Sequence, residues 1–383
     1  MRLLAAAVAL TLLCACAAPG KAPSLVEARP GSGLAARVAN AAAADPVPMA
    51  QALLRSLDYV RTKPLGAQAF GPGGPECTWA ELAASLEHML EVLPRLGGDP
   101  GLLEREFIWR EVRPEPLMTG YYEPEFEGSL VPDPRFPVPI YGLPADLQTV
   151  DLGAFHPRWK GQTLTCRVEG GKVLPPFTRE EIDSRGALAG AQPPVAWTRD
   201  IVDVYFLQVQ GSGRLRLPDG SVRHVLYAGK NGHEYVSLGK VMIDRGLVPK
   251  EEMSMQRIRQ YLREHPADVT DLLNTNPSYV FFRIADDGPL GAMGRALTPM
   301  VSVATDSAFL PLGSILAVEA GLPQPGGSAE SAAFLGLAQD RGGAIKGSRL
   351  DLFCGAGERA EFLAGHLQAP SRVFLLLKKQ DAP

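Results

Sequence analysis

From Met118 onward, proline and glycine interrupt the chain so often that long helices have little room to form. The extended runs between these residues are short, as in VPDPRFPVPIYGLP, KVLPPF and VDVYFLQVQGSGRLRLPDGSVRHVLYAG. The whole sequence holds 40 Gly and 34 Pro among 383 residues, and both residue types favour turns. The sequence therefore predicts a mainly β protein with a few helices, long enough for two domains with separate cores.

Local patterns place the clearest elements. Alternation on both sides of Pro218-Asp219-Gly220 is typical of a β-hairpin. The capping box Thr78-Trp79-Ala80-Glu81 starts a run of apolar residues at helical spacing, so a helix is predicted from there to Pro94. A surface loop is expected between Val318 and Ala333. Further helices are expected at about 253–264 and 358–367, and strands at 279–284, 298–305, 314–319, 333–339 and 372–378.

The first 16 residues, MRLLAAAVALTLLCAC, read as a secretory signal peptide. A basic residue precedes an apolar run that is too short to cross a bilayer, and the run ends in small residues. Its tail resembles a bacterial lipoprotein box, with cleavage after residues 1–15 and lipidation of Cys16. The alternative is an ordinary signal peptide followed by an incidental cysteine. Residues 16–49, rich in Pro, Gly and Ala, are then expected to be a flexible tether.

Charge and cysteine usage argue against several classes of protein. The formal net charge is -4, and the two signs are well mixed, so no basic surface for nucleic acid is expected. Cys77, Cys166 and Cys354 are widely spaced and odd in number, which fits neither a disulfide framework nor a zinc site. The six histidines show no ligand spacing. We therefore expect no metal and no cofactor.

Five segments in order carry a shared pattern: TGYYEP (119–124), FLQVQGSG (206–213), YAGKNGH (227–233), MSMQ (253–256) and NPSYVFF (276–282). The C-terminal part adds Asp306, Asp340 and Asp351. Together these segments resemble the membrane-bound lytic transglycosylase A family of peptidoglycan-cleaving lipoproteins, and the C-terminal part is similar to the family's module named for three aspartates. The resemblance covers the chain from about residue 105 to residue 378.

This resemblance implies an architecture, an activity and a location. The expected fold is a double-psi β-barrel built from 50–124 and 285–383, with a second β domain, 125–284, inserted and a substrate groove between the two. The implied enzyme cleaves the β-1,4 bond between N-acetylmuramic acid and N-acetylglucosamine without water, forming 1,6-anhydromuramic acid ends. It would be a monomer that acts on peptidoglycan glycan strands from the periplasmic face of the outer membrane, held by its lipid alone, with other wall-remodelling proteins as further partners.

This chemistry needs only one carboxyl group. The muramic C6 hydroxyl replaces water as the nucleophile, so the same group can first protonate the glycosidic oxygen and then accept the C6 proton. The family's catalytic aspartate matches Asp351. Its apolar neighbours Leu350, Leu352 and Phe353 predict that burial raises its pKa.

Three further residues are expected to support Asp351. Asp306 and Asp340 could both hold turns, and this role is favoured for Asp306. Asp340 could equally stabilise positive charge on the sugar ring. Lys346 is expected to be structural or to face the substrate, because a lysine beside Asp351 would lower the pKa of that acid.

The expected substrate-binding residues come from both domains, and each has a structural alternative. Tyr121 and Tyr122 are either sugar-stacking platforms or core aromatics. Gln208, Gln210 and Ser212 alternate along one predicted strand and would share either a substrate-facing or a solvated face. The full set is Thr119, Gly120, Tyr121, Tyr122, Gln208, Gln210, Ser212, Asn231, Gly342, Gly343 and Ala344.

Two other functions use the same residues. A hydrolase would need a second carboxyl group at hydrolytic distance and would release reducing-end sugars. A wall-binding lipoprotein would hold glycan without cutting it. Arg341 and Cys354 depart from the family pattern and could alter the wall of the groove.

Overall fold

The computed structural model describes residues 22–380 except 32, 72 and 73. Short 3₁₀ turns and one π-helical turn, Glu180–Ser184, join some of the regular elements. The helices are α1 Leu34–Ala44, α2 Pro46–Val60, α3 Trp79–Val92, α4 Leu102–Glu106, α5 Ile201–Gln210, α6 Leu238–Asp244, α7 Met255–Glu264, α8 Val269–Asn274 and α9 Glu358–His366. The strands are β1 Ser24–Glu27, β2 Phe107–Arg113, β3 Leu117–Glu123, β4 Glu125–Ser129, β5 Val138–Tyr141, β6 Leu147–Asp151, β7 Thr163–Glu169, β8 Lys172–Leu174, β9 Pro194–Thr198, β10 Ser212–Arg216, β11 Val222–Lys230, β12 Val280–Ala285, β13 Ser302–Ala304, β14 Ile315–Pro323, β15 Ala329–Asp340, β16 Leu350–Ala356 and β17 Gln368–Lys378.

Six strands close into a barrel. Their order is β3-β16-β13-β15-β14-β17, and β17 returns to pair with β3. Two of the neighbouring pairs are parallel, β13 with β15 and β16 with β3, so each of these connections must cross over. β2 and β1 extend the sheet outward from β17. This is the barrel that the sequence resemblance implied.

The second β unit lies between β3 and β13 in the chain. Its main sheet has the order β12-β11-β10-β4-β9-β5, and β6, β7 and β8 form a smaller sheet. The hairpin predicted around Pro218-Asp219-Gly220 is confirmed, since β10 and β11 pair in antiparallel fashion across that turn. The inserted β domain is therefore also confirmed.

Helices cover the outside of the barrel and complete its core. α3 begins with the predicted capping box: the side chain of Thr78 accepts from the backbone of Glu81, and Glu81 accepts from the backbone of Thr78 at 2.7 Å. Leu82, Leu86 and Met89 on one face of this helix are fully buried. Burial of this kind contributes about 1.5–3 kcal/mol per large apolar side chain.

The expectation of a flexible tether over residues 16–49 is wrong for residues 24–27 and 34–49. β1 pairs with β2, with Leu25 opposite Val112, and Leu34 and Val38 of α1 are buried in the barrel core. The alanines that suggested a linker are strong helix formers. Their small side chains also let α1 pack closely against β14 and β15.

Two other assignments need correction. Residues Ile201–Gln210 form the helix α5 and not a strand; Asp200 caps it by accepting from the backbone of Val202, and Gly211 at φ 82° ends it. Its aromatic and β-branched residues gave a strand signal because almost every side of this helix is buried. The expected surface loop between Val318 and Ala333 is mostly the β14–β15 hairpin, so only 324–328 form the turn.

Several contacts join the barrel to the inserted unit. His224 on β11 makes a 2.8 Å hydrogen bond with Glu123 at the end of β3. The amide of Gln256 on α7 donates to the backbone oxygen of Glu361 on α9 at 2.9 Å. Among the described residues, no helix combines the length and the apolar character needed to cross a membrane.

Candidate active site

Asp340 and Asp351 lie in one row across the barrel wall. Ala304 on β13 pairs with Asp340 on one side and with Asp351 on the other, and Asp351 pairs in turn with Thr119. Neighbouring strands are about 4.8 Å apart, so the Cα atoms of the two aspartates are roughly 10 Å apart. A register shift after Val303 brings Asp340 into this row. Ala304 itself is buried and packs with Tyr121 and Phe353.

The carboxyl group of Asp351 is half-buried and holds a hydrogen bond. Thr119 Oγ1 donates to Asp351 Oδ1 at 2.7 Å. Burial raises the pKa of Asp351 to about 6, although the Thr119 hydrogen bond and the positive charge of Arg349 oppose the shift. The predicted rise is therefore confirmed. Such a group exchanges a proton readily near pH 6.

Asp340 is held by three donors. Tyr121 donates its hydroxyl to Asp340 Oδ2 at 2.8 Å, and the backbone N–H groups of Ala292 and Arg341 donate to Oδ1 at 2.8 and 2.9 Å. Burial raises the pKa of Asp340, and these hydrogen bonds oppose the rise. Because both of its oxygens are occupied, Asp340 is a fixed group beside Asp351 and poorly placed to act as a base.

Asp306 fixes the glycine-rich loop that precedes β16. Its Oδ2 accepts from the backbone of Gly347 at 2.9 Å, and its Oδ1 accepts from Ala308 at 3.2 Å. Gly347 has φ 61°, a conformation that favours glycine. These contacts agree with the turn-holding role favoured from the sequence.

The cation that acts on Asp351 is Arg349, which sequence reasoning missed. Lys346 is exposed on the loop, and its charge is absent from the causes that shift the pKa of Asp351. Spacing could have identified Arg349, because residues two apart in an extended segment share a face.

Three residues expected to bind substrate are buried or hydrogen-bonded within the inserted unit. Gln208 and Gln210 belong to α5, so they do not share a strand face with Ser212 as predicted. Gln208 accepts a hydrogen bond from Arg179, and Gln210 accepts from the backbone of Tyr122 at 3.0 Å. Ser212 is buried at the start of β10.

Asn231 holds neighbouring loops of the inserted unit together. Its Nδ2 donates to the backbone oxygens of Phe177 and Pro277, both at 2.9 Å, and its Oδ1 accepts from Tyr279 at 2.9 Å. The side chain is 1% exposed. These contacts match the turn-capping alternative.

The residues around Gly120 form a packed layer between β3 and α9. A Cβ on Gly120 would lie 3.0 Å from Cys354 Sγ and 3.1 Å from the Cα of Ala364, so glycine permits close packing here. Tyr122 packs with Cys354 and Leu363 in the same layer. By contrast, the loop residues Gly343 and Ala344 are exposed; contact between substrate and the loop that they share with Gly342 stays a prediction.

Two tyrosines of the inserted unit lie within range of the charges on the barrel loops. Tyr227 is 50% exposed and Tyr235 is 46% exposed. Burial raises the pKa of Tyr227 while the charge of Arg341 lowers it, and Arg349 likewise opposes the rise at Tyr235. The site therefore lies where the two units meet. Exposure of Tyr227 beside the buried Leu226 is the strand alternation that could have identified it.

Comparison with known proteins identifies the relatives of the chain. Residues 117–283 match the MltA specific insert domain, and residues 301–377 match the 3D domain. The crystal structure of a membrane-bound lytic murein transglycosylase from Agrobacterium tumefaciens aligns with a TM-score of 0.79 and 31% identity, over 93% of this chain and 98% of that one. This chain belongs to the MltA family.

The chain is also similar to other MltA proteins. Membrane-bound lytic murein transglycosylase A of Vibrio cholerae is 38% identical over 265 residues. That match spans 68% of this chain and 65% of the relative, slightly less than two thirds of its length. The crystal structure of Escherichia coli MltA with bound chitohexaose has a TM-score of 0.66 and 29% identity, over 87% of this chain and 90% of that one. Asp351 lies within the matched 3D domain, and Tyr227 lies within the matched insert domain.

Proposed function

We propose that this protein is a lytic transglycosylase that cleaves the β-1,4 bond between N-acetylmuramic acid and N-acetylglucosamine in peptidoglycan. The observation that carries the proposal is the state of Asp351, a half-buried carboxyl group with a pKa of about 6 at the meeting of the two units. Its neighbour Asp340 has both oxygens occupied. The E. coli relative with bound chitohexaose supports a glycan as the substrate.

The proposed mechanism uses Asp351 twice. Its protonated form donates to the glycosidic oxygen while the bond from that oxygen to muramic C1 breaks, and positive charge develops on the ring. The fixed charge of Asp340 stabilises this state. Asp351, now a carboxylate, takes the proton of the C6 hydroxyl as that oxygen bonds to C1. The proton balance closes without water, and acid–base help of this kind is worth about a hundred- to ten-thousand-fold in rate.

The same contacts disfavour hydrolysis. A hydrolase needs a second carboxylate that is free to activate water or to attack the sugar. Asp340 is the other aspartate in the row, and the hydrogen bonds that it accepts from Tyr121, Ala292 and Arg341 hold both of its oxygens in place, which makes it poorly placed to activate water or to attack the sugar.

The mass of the soluble products tests this function. Purified protein incubated with peptidoglycan is expected to release muropeptides that end in 1,6-anhydromuramic acid, because no water enters the reaction. Arg359→Gln, a change at an exposed position on α9, serves as the control and should give the same products. Products heavier by one water would make the protein a hydrolase, and binding without any release would make it a wall-binding protein.

We also propose that the protein is attached to the periplasmic face of the outer membrane by a lipid on Cys16. The relatives named membrane-bound support membrane attachment, while Cys16 and the signal peptide lie outside the described residues. Cys16→Ala is expected to move the protein from the outer-membrane fraction to the soluble fraction on cell fractionation. If the variant stays with the membrane, the cysteine is incidental.

A further inference from the structure

Arg349 carries a buried donor with no partner. Its backbone N–H donates to the oxygen of Lys346 at 3.2 Å, which closes the turn before β16. The Nε of its guanidinium group is buried and makes no hydrogen bond within the described part of the chain. Leaving a buried donor unpaired costs folding free energy. The rest of the side chain is only partly buried, and its guanidinium group makes no hydrogen bond or ion pair with the described residues, so its terminal nitrogens are open to a partner from outside the protein.

The position of Arg349 is set by the site around it. Asp306 holds the loop through Gly347, and Arg349 follows on that loop two residues before Asp351. Because Arg349 and Asp351 are two residues apart in an extended segment, their side chains share a face. On the inserted unit, Tyr235 lies close enough for the charge of Arg349 to affect its pKa. The charge of Arg349 therefore acts on both the proposed acid and Tyr235 of the inserted unit.

The reaction determines which sugar lies there. Asp351 protonates the oxygen on muramic C1, so the N-acetylmuramic acid ring must lie against Asp351. This sugar differs from N-acetylglucosamine only by a lactyl group on O3, which offers a carboxylate when free or a carbonyl oxygen when it carries peptide. A guanidinium group makes strong, directed hydrogen bonds to such oxygens. Arg341, the other arginine at this edge, instead lies beside Asp340 and Tyr227.

We propose that Arg349 binds the lactyl oxygens of the muramic acid at the cleavage site and thereby distinguishes it from N-acetylglucosamine. This inference rests on the proposed function, because it assumes that Asp351 acts at the muramic C1. It makes Arg349 a specificity-determining residue. Lys346 and Arg341 are given no such role.

Binding measurements in the Asp351→Asn protein test the inference without cleavage. The probes are a GlcNAc–MurNAc tetrasaccharide with free lactyl groups, the same glycan carrying stem peptide, and chitotetraose. Adding Arg349→Gln is expected to weaken binding of the muramic probes about ten- to a hundredfold, the loss of one charged hydrogen-bonding group. Chitotetraose binding should change less than twofold. The affinity of Arg349→Lys for the muramic probes should lie between those of the parent and Arg349→Gln. Arg359→Gln should bind all three probes like the parent.

The pattern of losses decides the outcome. If Arg349→Gln loses affinity for both muramic probes, the contact is with an oxygen that the two probes share. If it loses affinity for the peptide-free probe alone, the contact is with the free carboxylate. Equal weakening of all three probes, or no change, overturns the inference and leaves the proposed function standing. If the Asp351→Asn protein binds none of the probes while Arg349 is intact, both the inference about Arg349 and the proposed function fail.

The pH dependence gives a second, independent measurement. Activity requires protonated Asp351, so it should fall as the pH rises through about 6. Arg349 lowers this pKa, so Arg349→Gln should move the decline to higher pH, while Arg349→Lys should keep it near the wild-type value. An unmoved decline in Arg349→Gln would contradict the placement of its charge beside the acid.

Discussion

Asp351→Asn is expected to abolish almost all turnover and, at neutral pH, to raise the melting temperature of the protein. Asparagine cannot donate a proton to the glycosidic oxygen, so the rate should fall at least about a hundred- to ten-thousand-fold. The shape of the site should survive, because the amide oxygen can still accept from Thr119 Oγ1, as Asp351 Oδ1 does at 2.7 Å. Release of anhydro-muropeptides, followed over time, measures the loss.

The gain in stability follows from the direction of the pKa shift. The folded pKa of Asp351, about 6, lies above its ordinary value of 3.8. Folding therefore disfavours the carboxylate; the penalty is absent below about pH 4, grows as the pH rises through 6 and is then constant. A shift of this size corresponds to about 3 kcal/mol. Asparagine avoids the penalty, so the variant should melt several degrees higher at pH 7.5 and at the wild-type temperature at pH 4.

A matched control separates this effect from a general loss of charge. Asp219 lies on the hairpin turn, and hydrogen bonds from Ser221 lower the pKa of its carboxyl group. Asp219→Asn should therefore give no increase in melting temperature at pH 7.5. Wild-type turnover in Asp351→Asn, or equal melting temperatures at pH 7.5, would contradict the role given to Asp351.

Features that depend on neighbours in the sequence could be predicted, and features that depend on distant pairing could not. The capping box of Thr78 and Glu81 joins residues three apart, and the hairpin turn is equally local. The row that contains Asp340 and Asp351 requires a short central strand with one of them on each side. No spacing along the chain shows this arrangement, although the family motif identified both residues.

The wrong predictions also arose where tertiary packing, and not the local sequence, decides the structure. Alanine-rich sequence suits either a linker or a tightly packed helix, and the barrel surface makes α1 the latter. The run Ile201–Gln210 is buried on nearly all sides, so periodicity could not separate helix from strand. The sequence prediction considered Lys346 alone among the nearby cations and expected it to be structural or to face the substrate. It overlooked Arg349, which follows the turn held by Asp306 and lies two residues before Asp351.

Arg179 is a buried arginine whose contacts come from residues distant in the sequence. Its side chain is 1% exposed and lies between the rings of Tyr205 and Tyr279, 4.8 and 5.3 Å from their centroids. It donates to the backbone oxygen of Ser278 at 2.8 Å and forms a 3.4 Å ion pair with Asp183. No local pattern in the sequence indicated a buried arginine at this position.

Arg179 also connects the family motifs of the inserted unit. It donates to the backbone oxygen of Asn276 at 3.1 Å and to the side chain of Gln208. Asn276 in turn accepts from the backbone of Val236 at 3.1 Å, next to Tyr235 at the proposed site. The buried arginine thus fixes the loop that carries one wall of the groove.

Arg179→Met is therefore expected to cause one of the largest losses of stability that a single substitution can produce here. Methionine fills much of the space but leaves Asp183 and two backbone oxygens without their donor. Breaking a buried charged pair in this way costs about 3–5 kcal/mol. Chemical denaturation should show this as a lower midpoint. Product release at 25 °C should fall as well, because the Tyr235 wall loses its support.

The exposed Arg185 provides the control. It pairs with Glu180 at 2.6 Å with its side chain 67% exposed, and such surface pairs contribute about 0–1 kcal/mol. Arg185→Met should therefore leave the denaturation midpoint nearly unchanged. A loss of stability in Arg179→Met no larger than in Arg185→Met would mean that the aromatic rings and loops hold together without the arginine, and that the Tyr235 wall is positioned by other contacts.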